Sequence, residues 1–315
     1  MKKPFYYGGQ AVIEGVMMMG PNNYAVSARR PDGTIATKIS KHQSVKDKFP
    51  FLKWPIIRGF VNLIEMLILG MSTITWAANQ SGEEEEELSP KEMAVAIAIA
   101  VVAVIGLFLL VPVWIGTQAH AYVGDFGRSF IEGILRIGIF LVYVILIRRM
   151  KDIRRVFEYH GAEHKTINAY EAGVDLTPEN VAKYSTRHLR CGTSFVLMVM
   201  IFMIIIFTFV GQTDSVWTRT LIKLICMPLV AGITYEFNRF AAGHCQNRCI
   251  RAMITPGLWL QRLTTEEPAL DQIEVAIRSL KAVIPDYFEK HPEEEPIVDY
   301  REEERKEESE PLEEE

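Results

Sequence analysis

The chain has 315 residues, 49% hydrophobic and 23% charged, with a formal net charge of −5. Its apolar residues gather into long runs, and Cys191, Cys226, Cys245 and Cys249 are too few and too scattered for a disulfide framework, which excludes an ordinary soluble, disulfide-stapled secreted domain. The charge is split: residues 285–315 hold 15 acidic and 4 basic residues and the remainder 24 acidic and 30 basic, so a basic body carries an acidic tail, and no nucleic acid is expected as a partner.

Residues 1–53 carry nine Lys or Arg against three acids and read as a β-rich cytoplasmic element. The opening MKKPFYYGGQAVIEG has no continuous apolar stretch after its lysines, so a cleaved secretory signal is not expected. In residues 8–21 glycines flank a short apolar run that contains Glu14. The plain reading is one strand with a turn at each end; the sharper one is a backbone that closes on a site with Glu14 as an active group. Tyr24–Arg30 and Thr34–Ser40 alternate across Arg30-Pro-Asp-Gly33, a hairpin signal.

Residues 54–80 are apolar except for Arg58, Asn62 and Glu65, whose spacing forms one polar helical stripe that cannot face lipid. The positive-inside rule places residues 1–53 and the basic RRMKDIRR (148–155) in the cytoplasm, and counting spans back from 148 places 81–92 there too. Some 25 residues cannot cross twice, so 54–80 is expected as a re-entrant or in-plane amphipathic helix. Residues 93–147 form a first transmembrane pair, Met93–Val113 and Phe130–Ile147, joined by a connection at 114–128. Within it, Glu132 and Arg136 at i, i+4 mark a side that faces the bundle. A cytoplasmic segment, 148–193, precedes a second pair in 194–240, Ser194–Val210 and Leu221–Phe240, with a short loop at 211–220. Residues 241–284 return to the cytoplasmic face with His244, Cys245 and Cys249, and 266–284 read as an amphipathic helix with Leu270, Ile273, Ala276, Ile277 and Leu280 on one side. Residues 285–315 are expected as a disordered acidic tail. The fold class is therefore a mainly α, polytopic membrane protein of about four transmembrane helices plus the re-entrant or in-plane helix. A small N-terminal β-hairpin element and both termini lie in the cytoplasm.

The chemistry concentrates at 158–171, EYHGAEHKTINAYE. His160, Glu163 and His164 form His-x-x-Glu-His, the inverted zinc-hydrolase pattern. At 100° per residue His160, His164 and Glu171 fall within roughly 40° of one another, so two imidazoles and a carboxylate share a helical face. A divalent metal such as zinc would take His160 and His164 as ligands, with Glu163 in the general-base position. The third ligand is open between Glu171, His188, Cys191, and the pair His244 and Cys245. The plainer reading is that these histidines sit at the headgroup boundary or in a polar network between cytoplasmic segments.

The motifs GGQAVIEGVMM (8–18), EYHGAEHKTINAYE (158–171), LTPENV (176–181), STRHLRCGTSF (185–195) and EFNRFA (236–241) together resemble the YqhQ-like family of bacterial membrane proteins, a family of unknown function whose members are described as predicted metal-dependent enzymes. The resemblance implies a multi-pass protein of the bacterial plasma membrane, with the lipid bilayer as its surroundings. Pro4–Pro21 is expected to pack over the histidine motif. Two functions follow as expectations: a metal-dependent membrane enzyme, most plausibly a hydrolase with Glu163 and Glu14 as active groups, or a non-catalytic scaffold that forms a homo-oligomer and binds other membrane proteins in secretion or protein quality control. Transport, a third, rests only on Arg58, Glu65, Glu132 and Arg136.

Overall fold

A computed structural model describes residues 7–82, 90–210, 212–244 and 246–300, so the acidic run at 83–87, Cys245 and the last part of the tail lie outside the described residues. The N-terminal element is one antiparallel sheet of β1 (Gly8–Val12), β2 (Gly15–Met19), β3 (Asn23–Arg29) and β4 (Ile35–Lys41) in the order β1-β2-β3-β4. The expected β3–β4 hairpin is present, with Arg29 opposite Ile35 and Gly33 at φ 90° in the turn. Residues 8–21, read as one strand, are instead two, folded back so that Val12 faces Gly15 with Glu14 at φ 48° between them. Alternation sends Val16, Met18 and Ala25 to one side of the sheet and Met17, Val26, Ala28 and Ala36 to the other, and both sides are buried.

The second side is covered by α1 (Ile57–Gln80), an unbroken helix of 24 residues that lays Trp76 and Ala77 on it. Its polar stripe is taken up by protein, as the sequence requires. Arg58 is ion-paired with Glu236, Asn62 accepts from Lys46, and the Glu65 carboxylate accepts from the Ser44 hydroxyl and the Val45 amide, both at 2.8 Å. At its far end Gln80 Oε1 accepts from Arg30 Nε at 2.9 Å, beside the β3–β4 turn. The segment from 42 to 80 thus leaves the sheet after β4 and rejoins it. Its outer face exposes Leu67, Ile68 and Met71, and Phe49, Phe51 and Trp54 are exposed just before it.

Helix α2 (Pro90–Ile105) continues through a π turn at Gly106–Leu110 into α3 (Val111–Ile147). The connection expected at 114–128 is helical apart from one break at Gly124, at φ 64° and ψ −172°, a backbone that side chains resist and glycine accepts. The two limbs fold back there: Arg136 Nε donates to the Phe108 carbonyl at 2.7 Å, and the Glu132 side chain lies against Gly116. After α4 (Lys151–Glu171) and the short α5 (Pro178–Val181) come α6 (Gly192–Phe209) and α7 (Val216–Gly243), then α8 (Arg248–Thr264), α9 (Leu270–Lys281) and α10 (Tyr287–Lys290). Among the described residues, Ile57–Gln80, Ala98–Ile147, Gly192–Phe209 and Val216–Gly243 are long and apolar enough to cross a membrane. Outward residues such as Val102, Ile205 and Ile225 are exposed, a surface that suits lipid better than water. The chain is mainly α, with a small antiparallel sheet.

Three further differences from the sequence reading matter. Arg219, assigned to the loop at 211–220, lies inside α7 and is fully buried. Leu270, placed on the apolar side of the 266–284 helix, is the first residue of α9 and is exposed, whereas Ile273, Ala276, Ile277 and Leu280 are buried as that pattern requires. Residues 285–300, expected as the start of the tail, run along the body: Tyr287 is buried, Lys281 pairs with Glu294 at 2.5 Å, and Asp299 accepts from the Ile39 amide at 2.9 Å.

Candidate metal centre

Helix α4 starts directly after the second limb of α3, with Asp152 in its first turn, where a carboxylate complements the helix dipole. Tyr159, Ala162, Ile167 and Ala169 are buried in the core that α4 forms with α9 and the first side of the sheet. His160, Glu163 and His164 are left on the flank beside the chain that runs from α5 to α6. That chain is tied down by α4 itself: Lys165 Nζ donates to the Ala182 carbonyl at 2.7 Å and Asn168 Nδ2 to the Ser185 carbonyl at 2.8 Å. It delivers Cys191 to the N-terminus of α6.

The result is a cluster of His160, His164 and Cys191 whose ligand atoms all lie within 4.8 Å of one another. His160 Nδ1 donates to the Thr264 carbonyl at 2.8 Å, and His164 Nδ1 to the Thr186 carbonyl at 2.6 Å. A carbonyl can only accept, so each ring carries its proton on Nδ1, and Nε2 is the atom free to face the cluster. His160 Nε2 lies 3.3 Å from Cys191 Sγ, which is also 2.9 Å from the Thr193 hydroxyl. A tetrahedral ion with bonds of about 2.0–2.3 Å needs donors roughly 3.5 Å apart, a spacing that His160 Nε2 and Cys191 Sγ meet, and a carbonyl partner on the second ring nitrogen is the usual support for a ligating histidine. A zinc ion held by these three donors alone would keep a fourth position for water or substrate.

Electrostatics tie the same groups together. Burial, the largest single influence, pushes the His160 imidazole down, but Cys191, Glu163 and the Thr264 carbonyl together outweigh it and hold it up at about 9. Burial pushes the Cys191 thiol up, and His160 and His164 outweigh that and hold it well below the ordinary thiol range. Metal binding would displace the imidazole proton, because only the neutral ring is a ligand.

Glu163 is buried beside this cluster, its negative charge favours a proton on His160, and it has no hydrogen bond or ion pair among the described residues. Strand β1 closes over it: a Cβ at Gly9 would stand 3.1 Å from Glu163 Cγ and 2.3 Å from the Met17 carbonyl oxygen. The N-terminal hairpin therefore packs on the histidine helix. Glu14 goes elsewhere, to an ion pair with Arg155 and a 3.2 Å hydrogen bond from the Tyr159 hydroxyl. Glu171 shares the helical face of His160 and His164 but stands roughly 10 Å further along the axis than His164, and it pairs with Arg190. His188 is buried next to the cluster, its ring centroid 5.6 Å from that of His164 and its Nε2 3.7 Å from Glu171. His244 stacks on Phe240 and accepts no place in the cluster, and Cys249 is exposed. Gln261 was not singled out by sequence. Its side-chain oxygen accepts from the His188 amide at 2.8 Å, and its Nε2 donates to the His188 carbonyl and the Ser194 hydroxyl, both at 2.7 Å, which fixes the approach to Cys191. The one available signal is a polar residue within the buried stripe Gly257, Gln261 and Thr264 of α8.

Residues 54–286 match the family described as protein of unknown function (DUF1385). The chain belongs to that family. It is 33% identical over 303 residues to the uncharacterized protein YqhQ of Bacillus subtilis (strain 168), covering 90% of this chain and 93% of that relative, in agreement with the expected resemblance. No solved structure matches. The DUF1385 description assigns no chemistry, so the site has to be read from its own groups.

Proposed function

We propose that this DUF1385 protein is a metal-dependent enzyme of the bacterial plasma membrane, acting on a substrate at headgroup level on the cytoplasmic face, most simply by hydrolysis. The observation that carries this reading is the convergence of His160, His164 and Cys191, each imidazole anchored through Nδ1, next to a buried and unpartnered Glu163. A divalent ion such as zinc would supply Lewis acidity at its open position. His160, His164 and Cys191 would hold it. Glu163 is placed to take up and return a proton, and β1 above it keeps bulk water from that side. The basic 148–155 stretch beside the site supports the cytoplasmic assignment.

Elemental analysis of the purified chain tests the metal. About one divalent ion per chain is expected in the wild type, and almost none in His160→Ala/His164→Ala or Cys191→Ser. A metal-free wild type would sink the enzyme reading. Glu163→Gln should keep the metal and fail to complement a deletion strain. Full complementation by that variant would mean a structural metal and would favour the oligomeric scaffold.

A further inference from the structure

Helix α8 has two faces of different chemistry. Its inner face, Gly257, Leu260, Gln261 and Thr264, is buried. At 100° per residue its outer face carries Arg251, Arg262, Thr255, Arg248 and Trp259 within an arc of roughly 80°, and all five are exposed, Trp259 by 50%. The arginines run from one end of the helix to the other, over roughly 21 Å. None of the Arg248, Arg251 and Arg262 side chains makes a hydrogen bond or ion pair among the described residues. The neighbouring sequence supplies no counter-charge, since residues 237–265 hold four arginines and no acid. Other arginines near this end of the bundle are paired, Arg58 with Glu236, Arg148 with Glu266 and Arg155 with Glu14.

Where α8 lies decides what this stripe meets. Gln261 Nε2 donates to the Ser194 hydroxyl at 2.7 Å, and a Cβ at Gly257 would stand 2.8 Å from Ser194 Cβ. Ser194 is in the first turn of α6, at the end of that apolar helix which the positive-inside rule assigns to the cytoplasm. Exposed apolar side chains flank the stripe: Met253 on α8, Phe240 near the end of α7 and Val196 on α6. A helix so placed sits at the height of the lipid phosphates, with acyl chains below it and water above. Tryptophan and arginine suit that height, because each joins an apolar body to a polar or charged tip.

We propose that the outer face of α8 is a docking surface for the anionic lipid headgroups of the cytoplasmic leaflet, with Arg248, Arg251 and Arg262 on lipid phosphates and Trp259 seated between them. Guanidinium groups match phosphate oxygens in geometry as well as charge, and the cytoplasmic leaflet carries the complementary negative charge. Three arginines along one line meet a plane of headgroups. The exposed apolar residues beside them favour a bilayer over an acidic soluble protein. The same helix turns Gln261 and Thr264 inward, toward Cys191 and His160, so lipid held on its outer face fixes the height of that cluster relative to the headgroups. The stripe is on the opposite face of α8 from the cluster, and the proposal does not depend on a metal there.

The test uses the full-length chain in a neutral detergent, equilibrated with equal amounts of dioctanoyl phosphatidylglycerol and dioctanoyl phosphatidylcholine, with native mass spectrometry as the readout. The wild type is expected to retain phosphatidylglycerol in preference to phosphatidylcholine, whose headgroup has no net charge. Arg248→Gln/Arg251→Gln/Arg262→Gln should weaken phosphatidylglycerol binding roughly a hundredfold, about fivefold for each arginine, and leave phosphatidylcholine binding unchanged. Where the triple variant does not fold, Arg262→Gln alone serves, with the fivefold loss. Lys41→Gln/Lys183→Gln/Lys290→Gln removes the same charge from exposed positions outside α8 and should keep the wild-type preference. Equal retention of the two lipids by the wild type, or an equal loss in the lysine control, would overturn the proposal. A wild-type dimer that the arginine variant loses would assign the stripe to a second copy of the chain and overturn it as well.

Discussion

Each imidazole of the candidate metal centre is oriented by a carbonyl from a different part of the chain, Thr264 for His160 and Thr186 for His164. The site thus depends on how α8 and the α5–α6 connection meet α4 as much as on α4 itself. His188 and Arg190, in the same connection, flank Glu171, and these neighbours, His188 foremost, hold its carboxyl below the ordinary value of 4.5. A lowered carboxyl pKa stabilises the folded chain above the unfolded value, and that contribution is lost as pH falls through the folded one. Glu171→Gln should therefore be less stable than wild type at pH 6, with the gap closing below pH about 4. The effect is expected to stay under about 1 kcal/mol, because the Glu171 side chain is 36% exposed and the pair is screened by solvent. Chemical unfolding of both proteins at a series of pH values measures it.

At the scale of elements, α1 is the unusual member. Gly59 and Gly232 bring its first turn close to α7, and the Arg58–Glu236 pair fastens the two helices. Its last turns belong to the sheet. The pair is partly buried and bidentate, the geometry in which an ion pair contributes most. A double-mutant cycle with Arg58→Ala and Glu236→Ala should give a coupling of about 1–2 kcal/mol in thermal or chemical unfolding. A value near zero would mean that apolar contact alone docks α1 on α7. The same logic accounts for the long α2–α3 unit: composition makes it one apolar run with a polar interruption, and only the backbone at Gly124 turns it into two antiparallel limbs.

For the molecule as a whole, the sheet is held between two sets of helices, α4 and α9 on one side and α1 on the other. The chain leaves this module at Lys41 and returns to it at Gln80, so the ends of α1 and its preceding segment belong to one body. The expected topology puts Asp32, Lys48 and Glu267 on one side of the membrane and Asp125 and Thr218 on the other. Single cysteines at these positions, in a background with Cys226, Cys245 and Cys249 replaced, should divide into those two groups with an impermeant thiol reagent. Labelling of positions 32 and 48 from opposite sides would mean that α1 crosses.

Periodicity and composition were enough to specify the membrane-type helices, the β3–β4 hairpin, the polar stripe of α1 and the histidine face of α4, because each is set by residues within a few turns of one another. They also confined the third partner of His160 and His164 to a short set of residues. Selecting Cys191 from that set, sending Glu14 to Arg155 and Glu171 to Arg190, and pairing Glu132 with Arg219 and Lys223 were decided by tertiary structure. Local spacing fixes direction around a helix axis but says nothing of which distant segment arrives at that face. The loop tied by Gln261 and the fold-back at Gly124 make those arrivals, and both depend on contacts between residues far apart in the chain.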